Sequence, residues 1–121
     1  MEVGIPAMGV EEQDSIRAVV DLGLNATVIA WCRMTADDIA AAAACGVGMV
    51  NISISVSDQQ IAGKLGRDRR WVIDQIKRCV AQARGLGLQV AVGGEDSSRA
   101  DPDFLIQVAE TAQAAGARRF R

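Results

Sequence analysis

Five short β-type runs, each separated from the next by a stretch of helical periodicity, constrain the fold of this chain more than any other feature. The runs are EVGI (Glu2–Ile5), TVIAW (Thr27–Trp31), MVNISI (Met49–Ile54), LQVAV (Leu88–Val92) and ARRFR (Ala117–Arg121). Between the first two, Ile16, Val19, Val20 and Gly23 share one helical face. Thr35 reads as an N-cap with Asp38 at the third helical position, and Gly46 ends that helix after an alanine-rich run. Ser57-Asp58-Gln59-Gln60 fits a capping box. A longer helix follows Asp68, with Val72, Ile76, Val80 and Ala83 at helical spacing. Asp101-Pro102 reads as an N-cap followed by proline, which has no amide hydrogen to leave unpaired. Phe104, Leu105, Val108, Ala109 and Ala112 then face inward, and Gly116 stops the helix. Strands alternating with helices in this way predict a parallel sheet with helices outside it. Two architectures satisfy the pattern. One is a small doubly wound domain. The other is part of a (β/α)8 barrel, whose usual length of about 250 residues is roughly twice this chain.

Composition narrows the chemistry. Half the residues are hydrophobic and the formal net charge is −2, so nothing favours nucleic acid or an acidic membrane surface as a partner. No apolar run approaches the ~20 residues that span a bilayer. The start, MEVGIPAMG, lacks a basic region and does not read as a signal peptide. Cys32, Cys45 and Cys79 form no CxxC pair, which suggests reduced thiols and a cytoplasmic location. There is no histidine. A structural zinc site is therefore not expected, and any metal site within the chain would rest on oxygen ligands alone.

In either architecture, ligands bind at the carboxyl ends of the strands. Those ends carry Gly4-Ile5-Pro6-Ala7-Met8-Gly9, then Trp31-Cys32-Arg33-Met34, then Asn51, Ser53, Ser55, Ser57 and Asp58, then Gly93-Gly94-Glu95-Asp96-Ser97-Ser98-Arg99. Polar groups thus converge on one rim from four strands. Each has a plainer reading beside the functional one. Glu95 and Asp96 are adjacent and point opposite ways on extended chain. One faces a pocket, while the other binds Arg99 or caps the next helix. Arg33 suits a substrate carboxylate or a structural ion pair. Asn51 lies in an apolar strand, where an unpaired amide costs about 1–3 kcal/mol, so a neighbour or a ligand must satisfy it. Gly93-Gly94 leaves room for a phosphate to approach backbone amides, yet no GxGxxG or other phosphate-loop motif is present. Arg67–Arg70 read as a solvated helix start, and Trp31 and Trp71 as packing residues or substrate platforms.

The segments EVGIPAMG, AWCRM, NISISVSD, KLGRDRRWV, VGGEDSSRADPDFL and GARRFR, in that order, resemble homocitrate synthases of the nitrogen-fixation type. These belong to the wider family of isopropylmalate, homocitrate and citramalate synthases. The resemblance runs the length of the chain. It implies a partial (β/α)8 barrel, about strands two to six of eight, with residues 1–121 as the central part of one catalytic domain. It implies an acyltransferase that condenses acetyl-CoA with 2-oxoglutarate and hydrolyses the thioester to homocitrate, destined for the nitrogenase iron–molybdenum cofactor. A divalent metal (magnesium, manganese or zinc) and a homodimer belong to that picture of the complete enzyme.

By the same resemblance, Glu2 is a carboxylate at the end of the second barrel strand. Asn51 and Ser53 lie on the strand that lines the substrate pocket, with Gly93 and Glu95 on the next; Glu95 is the candidate catalytic residue. Trp31 stands where lysine-pathway enzymes carry a pocket histidine, and Ala91 where they carry an arginine for the distal carboxylate. Arg33 is a possible substitute for that arginine. The Asp-Arg-Glu motif and the HxH metal ligands are not among these residues, so the chain alone is expected to bind no metal and to be inactive. A fragment of an isopropylmalate or citramalate synthase is the alternative. A stand-alone, non-catalytic half-barrel that binds a small acid or a partner is the reading of another class. Half a barrel is also expected to bare inward apolar side chains, at a loss on the order of 10 kcal/mol. Net stabilities are only about 5–15 kcal/mol, so marginal stability or self-association follows.

Overall fold

Sequence neighbours are also sheet neighbours throughout this protein. The computed structural model describes residues 1–121. Strands β1 (Glu2–Gly4), β2 (Ile29–Arg33), β3 (Met49–Ser55), β4 (Gln89–Glu95) and β5 (Arg119–Phe120) form one sheet in the order β1-β2-β3-β4-β5. Every pairing is parallel. A doubly wound sheet reverses its order at a switch point; this one does not. The barrel-type arrangement is the one present.

Helices α1 (Val10–Asp21), α2 (Ala36–Ala44), α3 (Asp58–Gly63), α4 (Arg69–Gly85) and α5 (Pro102–Ala115) supply the crossovers. Side chains alternate across each strand, so the two sheet faces separate cleanly. Val50, Ile52 and Ile54 of β3 and Val90 and Val92 of β4 join one apolar cluster with Ile39, Ile76, Val80 and Val108 of the helices. Asn51 and Ser53, and Ala91 and Gly93, point to the opposite, inner face.

The caps explain where the helices begin. Thr35 Oγ1 accepts from the Asp38 amide at 3.4 Å, Ser57 Oγ from Gln60 at 3.3 Å and Asp68 Oδ1 from Trp71 at 2.8 Å. Asp101 occupies the N-cap position of α5 but makes no capping bond. Its carboxylate goes instead to Arg69 Nη1, at 2.9 Å. Gly46 and Gly116, with φ of 80° and 109°, follow α2 and α5 in the left-handed region that favours glycine.

Two strands run further than their apolar pattern suggests. Strand β2 continues past Trp31 because Cys32 is fully buried and the charge on Arg33 is neutralised by Asp38. Strand β4 continues through Gly93 and Gly94, although glycine weakens strands. The missing side chain is what the packing demands there. A Cβ on Gly94 would lie 2.9 Å from Phe120 Cζ and 2.8 Å from Ser97 Oγ. The Gly94 amide donates to the Arg121 carbonyl at 2.7 Å, so it is not free to cradle a phosphate.

The inner face is not the bare apolar surface expected of half a barrel. The exposed large hydrophobic side chains are Met1, Met8, Val10, Leu22, Leu24, Leu86 and Ile106, which lie at the first residue, in loops and on helices. Polar and small residues occupy the centre of the inner face, so its exposure carries little hydrophobic loss.

Candidate active site

The inner face collects polar groups from across the sheet. Glu2 of β1 accepts hydrogen bonds at Oε2 from Asn51 Nδ2 of β3, at 3.1 Å, and from Arg121 Nη1 beyond β5, at 3.2 Å. Trp31 of β2 donates its indole N–H to Ser53 Oγ of β3, at 3.0 Å. Asn51 Oδ1 is buried with no hydrogen-bond partner. A Cβ on Gly93 would meet that oxygen at 3.4 Å, so the orphan acceptor faces the open glycine. A cavity of 310 Å³ lies beside these groups, lined by Glu2, Gly4, Ile5 and Trp31. A larger hollow of 360 Å³ lies on the helix side, between α5 and β5. It has no comparable convergence of polar groups from several strands, which makes the inner face the candidate site.

The rim is built from ion pairs. Glu95, the last residue of β4, meets Lys64 Nζ at 2.6 Å. Asp96 follows in the left-handed conformation, the one non-glycine residue to do so. Its carboxylate accepts from Ser57 Oγ at 2.6 Å and pairs with Arg99 at 2.7 Å. Arg99 and Ser57 together hold that carboxyl below the usual carboxylate range. Arg69 ties three helices together, through Asp58 at 2.6 Å and Asp101 at 2.9 Å, while stacking over Phe104.

Arg33 is turned away from the inner face. Its Nε and Nη2 each reach Asp38 of α2 at 2.9 Å. Burial alone would raise the Asp38 carboxyl, but the hydrogen bonds from Arg33 and Thr35 outweigh it and hold the group low. The structure thus brings Glu2, Trp31, Asn51, Ser53 and Gly93 together, sets Glu95 at the rim against Lys64, and commits Arg33 to an ion pair. Three partners escaped the sequence reading: Lys64, Arg69 and Arg121. Lys64 and Arg121 meet their carboxylates across 31 and 119 residues of chain, and no local pattern announces such pairs.

All three cysteines are buried free thiols. Burial, with the nearby charges of Asp38 and Cys45, pushes the Cys32 thiol up to about 12. Burial also raises Cys45 and Cys79. A nucleophilic cysteine needs the opposite. No group of three or more His, Cys, Asp or Glu is placed to share an ion.

The family profile described as HMGL-like matches residues 1–121. The chain belongs to the HMGL-like family. Within curated members, Homocitrate synthase 1 of Nostoc sp. is 52% identical over the whole chain, which covers 32% of that protein. Homocitrate synthase subunit alpha of Clostridium pasteurianum is 48% identical over the whole chain, covering 45% of the subunit. 2-Isopropylmalate synthase 2 of Caldanaerobacter subterraneus is 44% identical over the whole chain, covering 32% of it. This HMGL-like chain therefore spans about a third to a half of the relatives it matches. The solved HMG-CoA lyase of Bacillus subtilis superposes with a TM-score of 0.69 at 14% identity, covering 89% of this chain and 38% of that one. That likeness concerns the fold: the lyase is a TIM barrel, and the five parallel strands fit as part of one. No helix is long and apolar enough to cross a membrane.

Proposed function

We propose that this chain supplies the second to sixth strands of a homocitrate synthase barrel and much of its 2-oxo acid site. The supporting observation is the cluster of Glu2, Asn51 and Arg121, with the buried Asn51 amide oxygen left unpaired beside Gly93. Such a cluster suits a ligand that carries both acceptors and a donor. An incoming carboxylate can take Arg121 and the Asn51 amide N–H in place of Glu2. Asn51 Oδ1 can accept from a hydroxyl, of the kind formed when a ketone carbon becomes an alcohol.

The reaction joins the acetyl methyl carbon of acetyl-CoA to the keto carbon of 2-oxoglutarate. A base removes a methyl proton, the resulting enolate carbon forms the new C–C bond, and the keto oxygen gains a proton. Water then cleaves the thioester and releases CoA. In this reading Glu95 is the carboxylate that handles a proton at the rim, with Lys64 as its counter-ion. A divalent metal in the complete enzyme would draw its ligands from outside residues 1–121, and the chain alone is inactive. The complete enzyme is a cytoplasmic homodimer whose product serves the nitrogenase cofactor.

A chimera tests the reading. Residues 1–121 replace the matching segment of the Nostoc synthase, and homocitrate and released CoA are measured with 2-oxoglutarate. Homocitrate formation, lost on Glu95→Gln, is the expected result. No product from a folded chimera overturns it. The identity to an isopropylmalate synthase favours a second reading, and turnover of 2-oxoisovalerate instead of 2-oxoglutarate would establish that one.

A further inference from the structure

We infer that Arg119 is the cation that receives the second carboxylate of a 2-oxo diacid, and so selects that diacid over a 2-oxo acid with an apolar tail. The placement of Arg119 stands on the sheet alone; its ligand rests on the 2-oxo acid reading above.

An arginine stands on each side of Phe120 at the edge of the sheet. Phe120 packs against the apolar cluster on the helix side. Side chains alternate along a strand, so Arg119 and Arg121 both start toward the inner face. Arg121 bears this out by reaching Glu2. The register sets Trp31, Asn51, Ala91 and Arg119 side by side in one row across β2 to β5. Ala91 adds neither charge nor polar atom to that row. Asn51 and Arg119 therefore flank a position where a polar ligand atom has an amide on one side and a guanidinium on the other.

The charges near this face are otherwise spoken for. Glu2 pairs with Arg121, Glu95 with Lys64, and Arg33 with Asp38. Arg119 is exposed, and its guanidinium has no ion-pair or hydrogen-bond partner, unlike those of Arg118 and Arg121 on either side. It also borders the hollow between α5 and β5, where Glu110 is the one carboxylate, and no ion pair joins the two. The inner face is left with one uncompensated positive charge.

That charge suits a second carboxylate. The first takes Arg121 and the Asn51 amide, as proposed. Arg119 and Arg121 are two residues apart, about 6.6 Å along the strand. The carboxyl carbons of a five-carbon diacid stand about 5 Å apart, across four carbon–carbon bonds of about 1.5 Å. Flexible arginine stems absorb the difference, and the far carboxylate meets the fork of Arg119. A methyl or isopropyl tail would desolvate the same guanidinium and offer it no partner.

The Nostoc chimera tests the assignment with two acids, 2-oxoglutarate and 2-oxovalerate, in which a methyl replaces the far carboxylate. Both kcat/KM and the Kd from titration calorimetry are measured. Arg119→Gln lowers the preference for 2-oxoglutarate by about a hundredfold or more, with 2-oxovalerate unchanged or improved. Arg119→Lys keeps the charge without the fork, and lowers the preference by about tenfold. Glu110→Gln leaves it unchanged. An equal loss for both acids, or an unchanged preference, overturns the assignment. So does a matching change in Glu110→Gln, which would place Arg119 in the service of the helix side. Arg119→Lys preserves the stem and the charge, so an unchanged preference there is decisive even where Arg119→Gln fails to fold. No turnover of any 2-oxo acid by the unsubstituted, folded chimera overturns the functional reading, and the assignment with it.

Discussion

Gly94→Ala is expected to destabilise the protein by about 1–2 kcal/mol, although its backbone is compatible with alanine. An added Cβ meets Ser97 Oγ at 2.8 Å, Phe120 Cζ at 2.9 Å and Val56 Cγ2 at 3.3 Å. Ser97 can rotate, at the loss of its bond to the Gly94 carbonyl. Phe120 belongs to β5 and Val56 is fully buried, so both must shift against packed neighbours. Overpacking of this kind costs about 1–3 kcal/mol. Replacing glycine also restricts the unfolded chain, which returns about 0.4–1 kcal/mol. With a urea m-value of about 2 kcal/mol/M, the middle of the range for small proteins, the midpoint should fall by roughly 0.5–1 M. Urea titration followed by far-ultraviolet dichroism measures this. Phe120→Ala should relieve most of the strain, so Gly94→Ala costs less in that background. The control is Gly63→Ala, at the end of α3 with no atom within 4 Å of its Cβ. It should stabilise by about 0.5 kcal/mol. A neutral or stabilising Gly94→Ala would refute the claim that close packing keeps this residue a glycine.

Other consequences follow from the same geometry. Ser57→Ala removes the N-cap of α3 and the donor to Asp96, and should lower stability by about 1–2 kcal/mol in the same urea assay; a change under about 0.3 kcal/mol would mean the cap is idle. Asp38 and Asp96 have depressed folded-state carboxyls. Their contribution is fully present above the ordinary carboxylate value near 4 and disappears as pH falls through the lower folded values. Thermal melts from pH 7 to 2 should show that loss, and Asp38→Asn should flatten part of it. The three buried thiols should resist a thiol-specific reagent near neutral pH and react together on unfolding; rapid labelling of the native protein would contradict their burial.

Much of the fold was readable because each element carried its own local signals. Thr35, Ser57 and Asp68 cap as their spacing predicts, and alternating apolar runs placed all five strands. What was not readable depends on distant pairings. Asp101 looks like a cap, yet an arginine on another helix claims its carboxylate. Asp96 binds Arg99, as the adjacent pair suggested, but its left-handed turn, its bond to Ser57 and the reach of Glu95 to Lys64 depend on residues far along the chain. Arg33 had two readings, and a buried aspartate five residues on selected the ion pair. Strand β4 hid its last three residues, Gly93 to Glu95, because glycine reads as a loop until the neighbours that crowd it are known.

The bond between Glu2 and Arg121 sets a limit on shape. In a flat sheet, four strand spacings of about 4.8 Å would hold β1 and β5 roughly 19 Å apart. A glutamate and an arginine reaching toward each other cannot bridge that distance. The sheet must bow, and this pair spans it like the string of a bow, with Asn51 gripping the middle. The arc is therefore spanned by side chains of the first strand, the third and the residue that follows the fifth. A mould that spans its own arc can be cast against different complementary halves with the contour of its inner face unchanged.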